Sequence, residues 1–240
     1  MTLEEQYRLS CYEELITLGD HNHIYLVKHK LSGEIFVKKV LTRFSFNVYK
    51  QLMDLQLSGI PIIYDMILDD DSLILIEEYI HGQTLEQLLN DQNTLIYSDA
   101  LSIMKKLCHI LKPLHDLNPP MKLSNIILTS ENLIYIVDFD TARYYESGRE
   151  QDTELLGTKE YAPPEQYGFG QSDARSDIYA LGIIFNRLLT GEYPKHQLAD
   201  NRYRPVISKC IRLDSDERFQ TISELENALH SSLSSDIGKP

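Results

Sequence analysis

The sequence predicts an α+β fold of two lobes, in which a small antiparallel β lobe with one helix precedes a larger, mainly α-helical lobe. The first third of the chain contains short apolar runs bounded by Gly, Asp, Asn or Ser, a pattern typical of strands. From Thr84 onward the apolar residues recur at helical spacing instead. At 240 residues and 42% hydrophobic composition, the chain is long enough to bury a sizeable core. We expect lobes at 1–81 and 82–231, followed by a flexible tail at 232–240.

Four strands and one helix are predicted in the first lobe. The strands correspond to the apolar runs Ile24–Val27, Ile35–Val40, Ile62–Leu68 and Leu73–Tyr79. Between the second and third strands, Val48, Leu52 and Leu55 have helical spacing and predict a helix over 48–57, ended by Ser58 and Gly59. The acidic run 69–71 lies between two apolar strands, which favours a solvated turn over a cation site.

Helices dominate the predicted second lobe. Thr84 and Gln87 have the spacing of a capping box, and an amphipathic pattern then continues through Leu101, Met104, Leu107, Leu111 and Leu114. A further helix is predicted over Asp177–Leu189, where Gly191 and Pro194 stop it. Thr221 and Glu224 predict the cap of a last helix.

Charge and cysteine content limit the classes of partner. The formal net charge is −13, with 36 acidic and 23 basic residues, so the chain lacks the electrostatic attraction that nucleic acids and anionic membranes require. Proteins and nucleotides are the classes of partner that this charge does not exclude. No run of about 20 apolar residues predicts a membrane span. The three cysteines lack Cys-x-x-Cys spacing and favour a reducing compartment, so we expect a cytoplasmic location.

Five segments resemble, in order, the motifs of the protein kinases, most closely the eukaryote-like serine/threonine kinases of bacteria. They are "SGEIFVKKVL", "IPIIYDMILDDDSLILIEEYIHGQTLEQLL", "VDFDTAR", "GTKEYAPPEQYGFGQSDARSDIYALG" and "DSDERFQT". Because the matches keep the family's order over most of the chain, the resemblance implies the two-lobed kinase fold. It also implies a pairing of Glu165 with Arg218.

The resemblance implies ATP and Mg²⁺ as cofactors and assigns a role to each matching residue. Lys39 is the phosphate-binding lysine, Val37 forms the adenine ceiling, and the backbone from Glu78 to Ile80 forms the hinge. Lys122 is similar to the catalytic-loop lysine, while Asn125 and Asp138 are similar to the two metal ligands. Gly19 is the one glycine retained in the family's glycine-rich loop.

Three of the family's functional features are missing. The catalytic aspartate should lie five residues before Asn125, at Pro120, and a deletion after "LHDLNPP" explains its loss. The glycine-rich loop is degraded. The helix glutamate that pairs with Lys39 should fall near Asn47, yet no glutamate lies between Glu34 and Glu77.

Two consequences follow from these losses. We expect Lys39 to pair with Asp138 or Glu77 instead of the missing helix glutamate, because an unpaired buried ammonium is costly. For the missing catalytic base, Asp116 and Asp140 are the nearby substitutes, and neither is well placed by spacing.

Three functions remain open from the sequence. The losses favour a pseudokinase, a scaffold or regulator that binds protein partners such as an active kinase or its substrate, with weak ATP and Mg²⁺ binding and no efficient phosphotransfer. The second is an active ATP-dependent serine/threonine kinase with a non-standard catalytic loop. The third is a structural domain without a nucleotide site.

Overall fold

The chain divides into two compact units. The computed structural model describes residues 1–18, 23–114, 119, 121–139, 161, 163, 165 and 174–234. Unit 1 comprises Met1–His81 and Tyr135–Thr141, and unit 2 comprises Gly82–Ile134 and Ala142–Pro240. The first division falls between the two predicted lobes, whereas segment 135–141, which the sequence placed in the second lobe, groups with unit 1.

Within its described residues, unit 1 contains a five-stranded antiparallel sheet in the order β1-β2-β3-β5-β4. The strands are β1 (Tyr12–Thr17), β2 (Ile24–His29), β3 (Ile35–Leu41), β4 (Ile63–Asp69) and β5 (Ser72–Glu78). The four predicted strands are confirmed, with boundaries shifted by one or two residues. Strand β5 has a neighbouring strand on both sides, and its five consecutive buried residues include the whole apolar run Leu73–Ile76.

Two elements at the start of unit 1 were missed. Helix α1 (Leu3–Ser10) begins with a capping box in which Thr2 and Glu5 exchange hydrogen bonds. This Thr-x-x-Glu spacing is a signal that could have found the helix. No residue of α1 is buried, and β1 is exposed along most of its length. Neither element therefore has the periodic apolar pattern that predicts a buried helix or strand.

The helix between β3 and β4 is confirmed, with different ends. Helix α2 (Phe46–Leu55) buries Val48, Tyr49 and Leu52. The predicted end at residue 57 is wrong, because Gln56 adopts a left-handed conformation with φ 43° and caps the helix. Leu55 is exposed, so its helical spacing did not indicate burial.

The acidic run forms a hairpin turn, as predicted. Asp69 pairs with Ser72 across the β4–β5 ladder, which leaves Asp70 and Asp71 as a two-residue loop. Asp70 has φ 50°, a conformation that Asp tolerates better than most residues. Among the described residues, no group of three or more His, Cys, Asp or Glu side chains could hold a metal ion.

The described part of unit 2 is mainly helical. Its helices are α3 (Leu85–Gln92), α4 (Tyr97–Leu111), α5 (Ala174–Thr190), α6 (Arg204–Cys210) and α7 (Ile222–Ser234). Short 3-10 segments span Lys112–Leu114, Leu123–Asn125 and Ser215–Glu217. Strand β6 (Gly82–Thr84) pairs antiparallel with β7 (Ile126–Thr129). Strand β8 (Ile134–Ile136) begins at the last residue of this segment of unit 2 and continues into the segment assigned to unit 1.

The helical predictions in unit 2 hold with changed boundaries. The capping box of Thr84 and Gln87 is confirmed at α3. Helix α5 begins three residues before Asp177, and α7 continues to Ser234, past the predicted start of the tail. Residues 235–240 lie outside the described part. Helix α6 and the three short strands β6, β7 and β8 were not predicted.

Close packing of α5 against α6 depends on a glycine. A Cβ atom built on Gly182 would lie 2.5 Å from the Cβ of Cys210, so no larger residue fits there without displacement. Helix α4 contributes eight buried residues to the same unit. No helix in the described ranges is long and apolar enough to cross a membrane.

Candidate functional site

Lys39 and Glu77 form a buried ion pair in unit 1. The Nζ atom of Lys39 lies 2.9 Å from Oε2 of Glu77, and the two side chains are only 6% and 7% exposed. In the β3–β5 ladder Val37 opposes Glu77 and Lys39 opposes Leu75. Directly opposed residues project to the same face of an antiparallel sheet, so Glu77 lies diagonally across from Lys39. The expectation that Asp138 or Glu77 pairs with Lys39 is therefore confirmed for Glu77.

The predicted hinge residues follow directly after this pair. The backbone N–H of Glu78 donates to the carbonyl of Ile62 at 2.8 Å, and its Oε2 accepts from the Ile62 N–H at 3.2 Å. The N–H of Glu78 is thus already engaged, so the backbone of Glu78 can serve a ligand only by accepting a hydrogen bond at its carbonyl oxygen. Val37 is half-buried and Ile80 is buried, which suits both residues to an apolar contact.

Asp138 also belongs to unit 1 and has an unusual backbone. Its φ is 70°, a left-handed conformation that is uncommon for residues other than glycine. Just before it, the N–H of Ile136 donates to the carbonyl of Gly59 at 2.8 Å, and just after it Phe139 is buried. The hydrogen bond of Ile136 and the burial of Phe139 anchor the chain close to Asp138 on both sides. Backbone strain of this kind is often found at functional sites.

Lys122 and Asn125 lie together in unit 2. The N–H of Asn125 donates to the carbonyl of Lys122 at 3.0 Å, closing the 3-10 turn Leu123–Asn125. Asn125 is buried, and its Oδ1 accepts from the Ser124 hydroxyl at 3.4 Å. Lys122 is half-buried. The turn therefore holds the amide of Asn125 in a defined position.

Glu165 and Arg218 form the ion pair that the sequence predicted. Two guanidinium nitrogens of Arg218 donate to the two carboxylate oxygens of Glu165 at 2.6 and 2.9 Å. The Arg218 side chain is completely buried and also donates to three backbone carbonyls, those of Arg175, Arg212 and Leu213. A bidentate, buried guanidinium of this kind joins the chain around Glu165 to the first turn of α5 and to the loop that follows α6.

A cluster around Arg187 has no counterpart among the features predicted from the sequence. Its Nη1 donates to the hydroxyls of Tyr161 at 3.1 Å and Tyr193 at 3.0 Å, and its guanidinium lies 4.5 Å from the centre of the Tyr193 ring. Burial raises the pKa of the Tyr161 hydroxyl, so this phenol stays neutral. Tyr161 lies 26 residues before Arg187 in the sequence, and no spacing rule links the three residues.

Several predicted site residues lie outside the described part of the chain. They are Gly19, Asp116, Pro120 and Asp140. Their predicted roles, including the two substitute bases, stay predictions. The neighbouring Pro119 and Met121 are described and buried.

The donor atoms present fit ATP and Mg²⁺ in chemical type. The carboxylate of Asp138 and the amide oxygen of Asn125 are hard oxygen ligands, the kind that Mg²⁺ prefers. The ammonium of Lys39 suits a phosphate oxygen, although Glu77 already neutralises it.

Comparison with known proteins identifies the family. The model of the protein kinase domain matches residues 12–237. Among curated proteins, the chain is similar to a probable serine/threonine-protein kinase of Clostridium perfringens, with 27% identity over 68% of this chain. It is 28% identical to PrkC of Bacillus subtilis over 72% of this chain, and 26% identical to PknB of Mycobacterium tuberculosis over 63%.

The matched region covers only part of these relatives. It spans 28% of the Clostridium protein, 31% of PrkC and 29% of PknB. The match to the family model nevertheless covers nearly the whole of this chain, from the first strand to the last helix. The chain belongs to the protein kinase family.

Proposed function

We propose that this kinase domain is a pseudokinase, which acts as a scaffold or regulator and does not transfer phosphate efficiently. The observation that carries the proposal is the absence of a carboxylate at the family's catalytic position, where the sequence reads Asn118, Pro119 and Pro120. In a kinase that aspartate accepts the proton of the attacking hydroxyl. Proline has no side-chain group that could do so.

The Lys39–Glu77 pair supports the same proposal. A helix glutamate normally holds the strand lysine in the family, and here a strand residue holds it. The lysine is therefore neutralised within the sheet by a group that does not depend on α2. A fold alone never guarantees an activity, so the family's activity does not pass to this chain without its catalytic groups.

We propose that the domain still binds ATP weakly with Mg²⁺. Lys39 and Lys122 would contact the phosphates, Asn125 and Asp138 would hold the metal, and Val37 with the backbone of Glu78 and Ile80 would contact the adenine. Bound Mg²⁺ neutralises phosphate charge, which is its contribution to binding. Such a domain signals through protein partners, for which we propose an active kinase or its substrate, in the cytoplasm.

Thermal unfolding with ligand tests the binding part of this proposal. A ligand that binds the native state alone at a hundredfold excess over its Kd stabilises by about 2.7 kcal/mol. For a chain of this size, that raises Tm by several degrees, roughly 5 to 10 °C. The measurement is Tm with millimolar ATP, with and without Mg²⁺, backed by calorimetric titration.

A matched pair of variants makes the result specific. Asp138→Asn should abolish the Mg²⁺-dependent part of the shift. Asp71→Asn removes the same charge from the exposed β4–β5 turn and should leave the shift unchanged. The absence of any shift, together with a flat titration, would refute nucleotide binding and leave a structural kinase-like domain.

A further inference from the structure

Arg187 carries a positive charge that no carboxylate neutralises within the part of the chain that the structure describes. Its hydrogen-bond partners are the hydroxyls of Tyr161 and Tyr193, which are neutral at pH 7. Other arginines of unit 2 behave differently. Four of them form ion pairs with carboxylates, namely Arg175, Arg204, Arg212 and Arg218. The guanidinium of Arg187 is therefore held in place by neutral groups while its charge stays uncancelled.

The two tyrosines use only part of the guanidinium of Arg187. Both hydrogen bonds come from Nη1. Among the described residues, Nε is buried without a hydrogen-bond partner, and Nη2 also has none but is not fully buried. The side chain as a whole is half-buried. Nη2 is thus the guanidinium donor that an incoming ligand can reach.

A second cation lies near the same tyrosine ring. The Nζ atom of Lys195 is 5.8 Å from the centre of the Tyr193 ring, and the guanidinium carbon of Arg187 is 4.5 Å from it. Lys195 is exposed, as is the neighbouring Glu192, and neither forms an ion pair with a described residue. The Tyr193 hydroxyl accepts from Arg187, so its own hydrogen can be donated to another acceptor.

The groups around Tyr193 match an anion with several oxygen atoms. Positive charge is concentrated here although the whole chain has a net charge of −13. A phosphorylated serine or threonine carries about −1.5 to −2 charges and three strong acceptor oxygens, more than a carboxylate offers. Nη2 of Arg187, the ammonium of Lys195 and the O–H of Tyr193 together supply donors for three such oxygens, and hydrogen bonds between charged groups are the strong ones.

We propose that Arg187, Tyr193 and Lys195 form a docking site for a phosphorylated serine or threonine side chain of a partner protein. The proposal deepens the proposed scaffold function and rests on it, since it names the chemical group that the domain recognises in its partner. An active kinase and its substrate are both proteins that can carry this group. The domain would then bind its partner after phosphorylation and release it after dephosphorylation.

Retention of peptides on the immobilised, purified chain tests the proposal. The probes are three libraries of short peptides with the same random flanking residues and with phosphoserine, serine or glutamate fixed at the centre. We expect the phosphoserine library to be retained ~10-fold or more above the serine library, because a charged hydrogen bond contributes about that factor. Added salt should weaken this retention. Retention of the serine or glutamate library as strong as that of phosphoserine would overturn the proposal.

A matched set of variants locates the binding. Arg187→Gln and Lys195→Gln should each lower retention of the phosphoserine library by ~10-fold. Arg204→Gln is the control, because it removes the same charge from an exposed arginine that already pairs with Asp200 at 3.0 Å. This control should stay within about twofold of the unaltered chain. A loss in Arg204→Gln equal to that in Lys195→Gln would mean that general surface charge, and not a built site, retains the peptides.

A further variant guards against misfolding of Arg187→Gln, which also breaks the hydrogen bond to the buried Tyr161. Lys195→Glu reverses the charge of an exposed residue and leaves the contacts between Arg187 and the tyrosines in place. It should unfold at the Tm of the unaltered chain and should retain the phosphoserine library no better than the serine library. Undiminished retention by this folded variant would refute the site.

Phosphotransfer and peptide retention can fail independently. Incorporation of phosphate by the unaltered chain would refute the pseudokinase proposal, whereas selective retention of phosphoserine would still stand. A chain that transfers no phosphate and shows no preference for phosphoserine would leave the pseudokinase proposal intact and refute the docking site alone.

Discussion

Lys39 and Glu77 neutralise each other within one sheet, on neighbouring strands and at a distance of 2.9 Å. In an active kinase the partner of this lysine comes from a helix, so movement of that helix can make or break the pair. Here both partners are fixed by the ladder between β3 and β5. The Lys39–Glu77 pair is therefore set by the fold of the sheet.

Breaking this pair should destabilise the domain strongly. Removing one partner of a buried pair costs about 3 to 5 kcal/mol, because the remaining charge stays buried. We expect Glu77→Ala to lower the free energy of unfolding by that amount. Replacing both residues by Met should cost far less than the single change. Denaturant unfolding followed by circular dichroism measures both values.

The neighbouring pair Lys38–Glu14 provides the control. Its side chains are 21% and 51% exposed, so solvent screens the interaction. Glu14→Ala should change the free energy of unfolding by no more than about 1 kcal/mol. Equal losses for Glu14→Ala and Glu77→Ala would contradict the assignment of Lys39–Glu77 as a buried, mutually dependent pair.

Arg218 should not tolerate replacement by lysine. Its planar fork binds both oxygens of Glu165 while other N–H groups reach three backbone carbonyls, and a lysine ammonium has too few donors in the wrong geometry. Each buried group left without a partner costs roughly 1 to 3 kcal/mol. We expect Arg218→Lys to reduce the free energy of unfolding by at least about 2 kcal/mol.

A conservative change at an exposed arginine is the comparison. Arg204 pairs with Asp200 at 3.0 Å, but the two side chains are 53% and 89% exposed. Arg204→Lys should alter stability by less than about 0.5 kcal/mol. If Arg218→Lys proved equally mild in thermal unfolding, the fork geometry would have no energetic importance.

The buried pairs show which features a sequence can predict. Glu165–Arg218 was predictable because both residues lie in motifs that keep fixed places in the family. Lys39–Glu77 was predictable as one of two options, because a buried ammonium needs a carboxylate and few lie nearby. The pairing with Glu77 in particular depends on the strand register, which is set by the whole sheet and not by local spacing.

Other features gave no usable signal. The cluster of Arg187, Tyr161 and Tyr193 joins residues that only tertiary packing brings together. Strand β1 and helix α1 are exposed, so they lack the apolar periodicity that revealed the buried elements. The predicted end of α2 was wrong because Gln56 ends the helix in a left-handed conformation, which is not typical of glutamine.

The cysteines should differ sharply in reactivity. Cys108 and Cys210 are buried, whereas Cys11 is partly exposed. Burial raises the pKa of Cys108 to about 12, and it raises the pKa of Cys210 as well, so neither is a thiolate at pH 8. Labelling with an uncharged thiol reagent at pH 8 should modify one cysteine rapidly and two only after unfolding.

A variant and a pH series check this assignment. Cys11→Ser should remove the rapid phase, and rapid modification of two or three thiols would contradict it. The raised pKa of Cys108 also makes the free energy of unfolding depend on pH. As pH rises, the Cys108 thiol ionises at a lower pH in the unfolded chain than in the folded one. Its contribution to the free energy of unfolding is therefore fully present below about pH 9 and is lost as pH rises toward 12.

Phosphotransfer by the purified chain tests the pseudokinase proposal most directly. The measurement is incorporation of radiolabelled phosphate from ATP with Mg²⁺, into the chain itself and into a broad panel of protein substrates. A positioned base alone contributes about 10² to 10⁴ in rate, and the helix glutamate is missing too. We predict incorporation no higher than that of Lys39→Ala and Asp138→Asn. Incorporation by the unaltered chain that disappears in both variants would contradict the account.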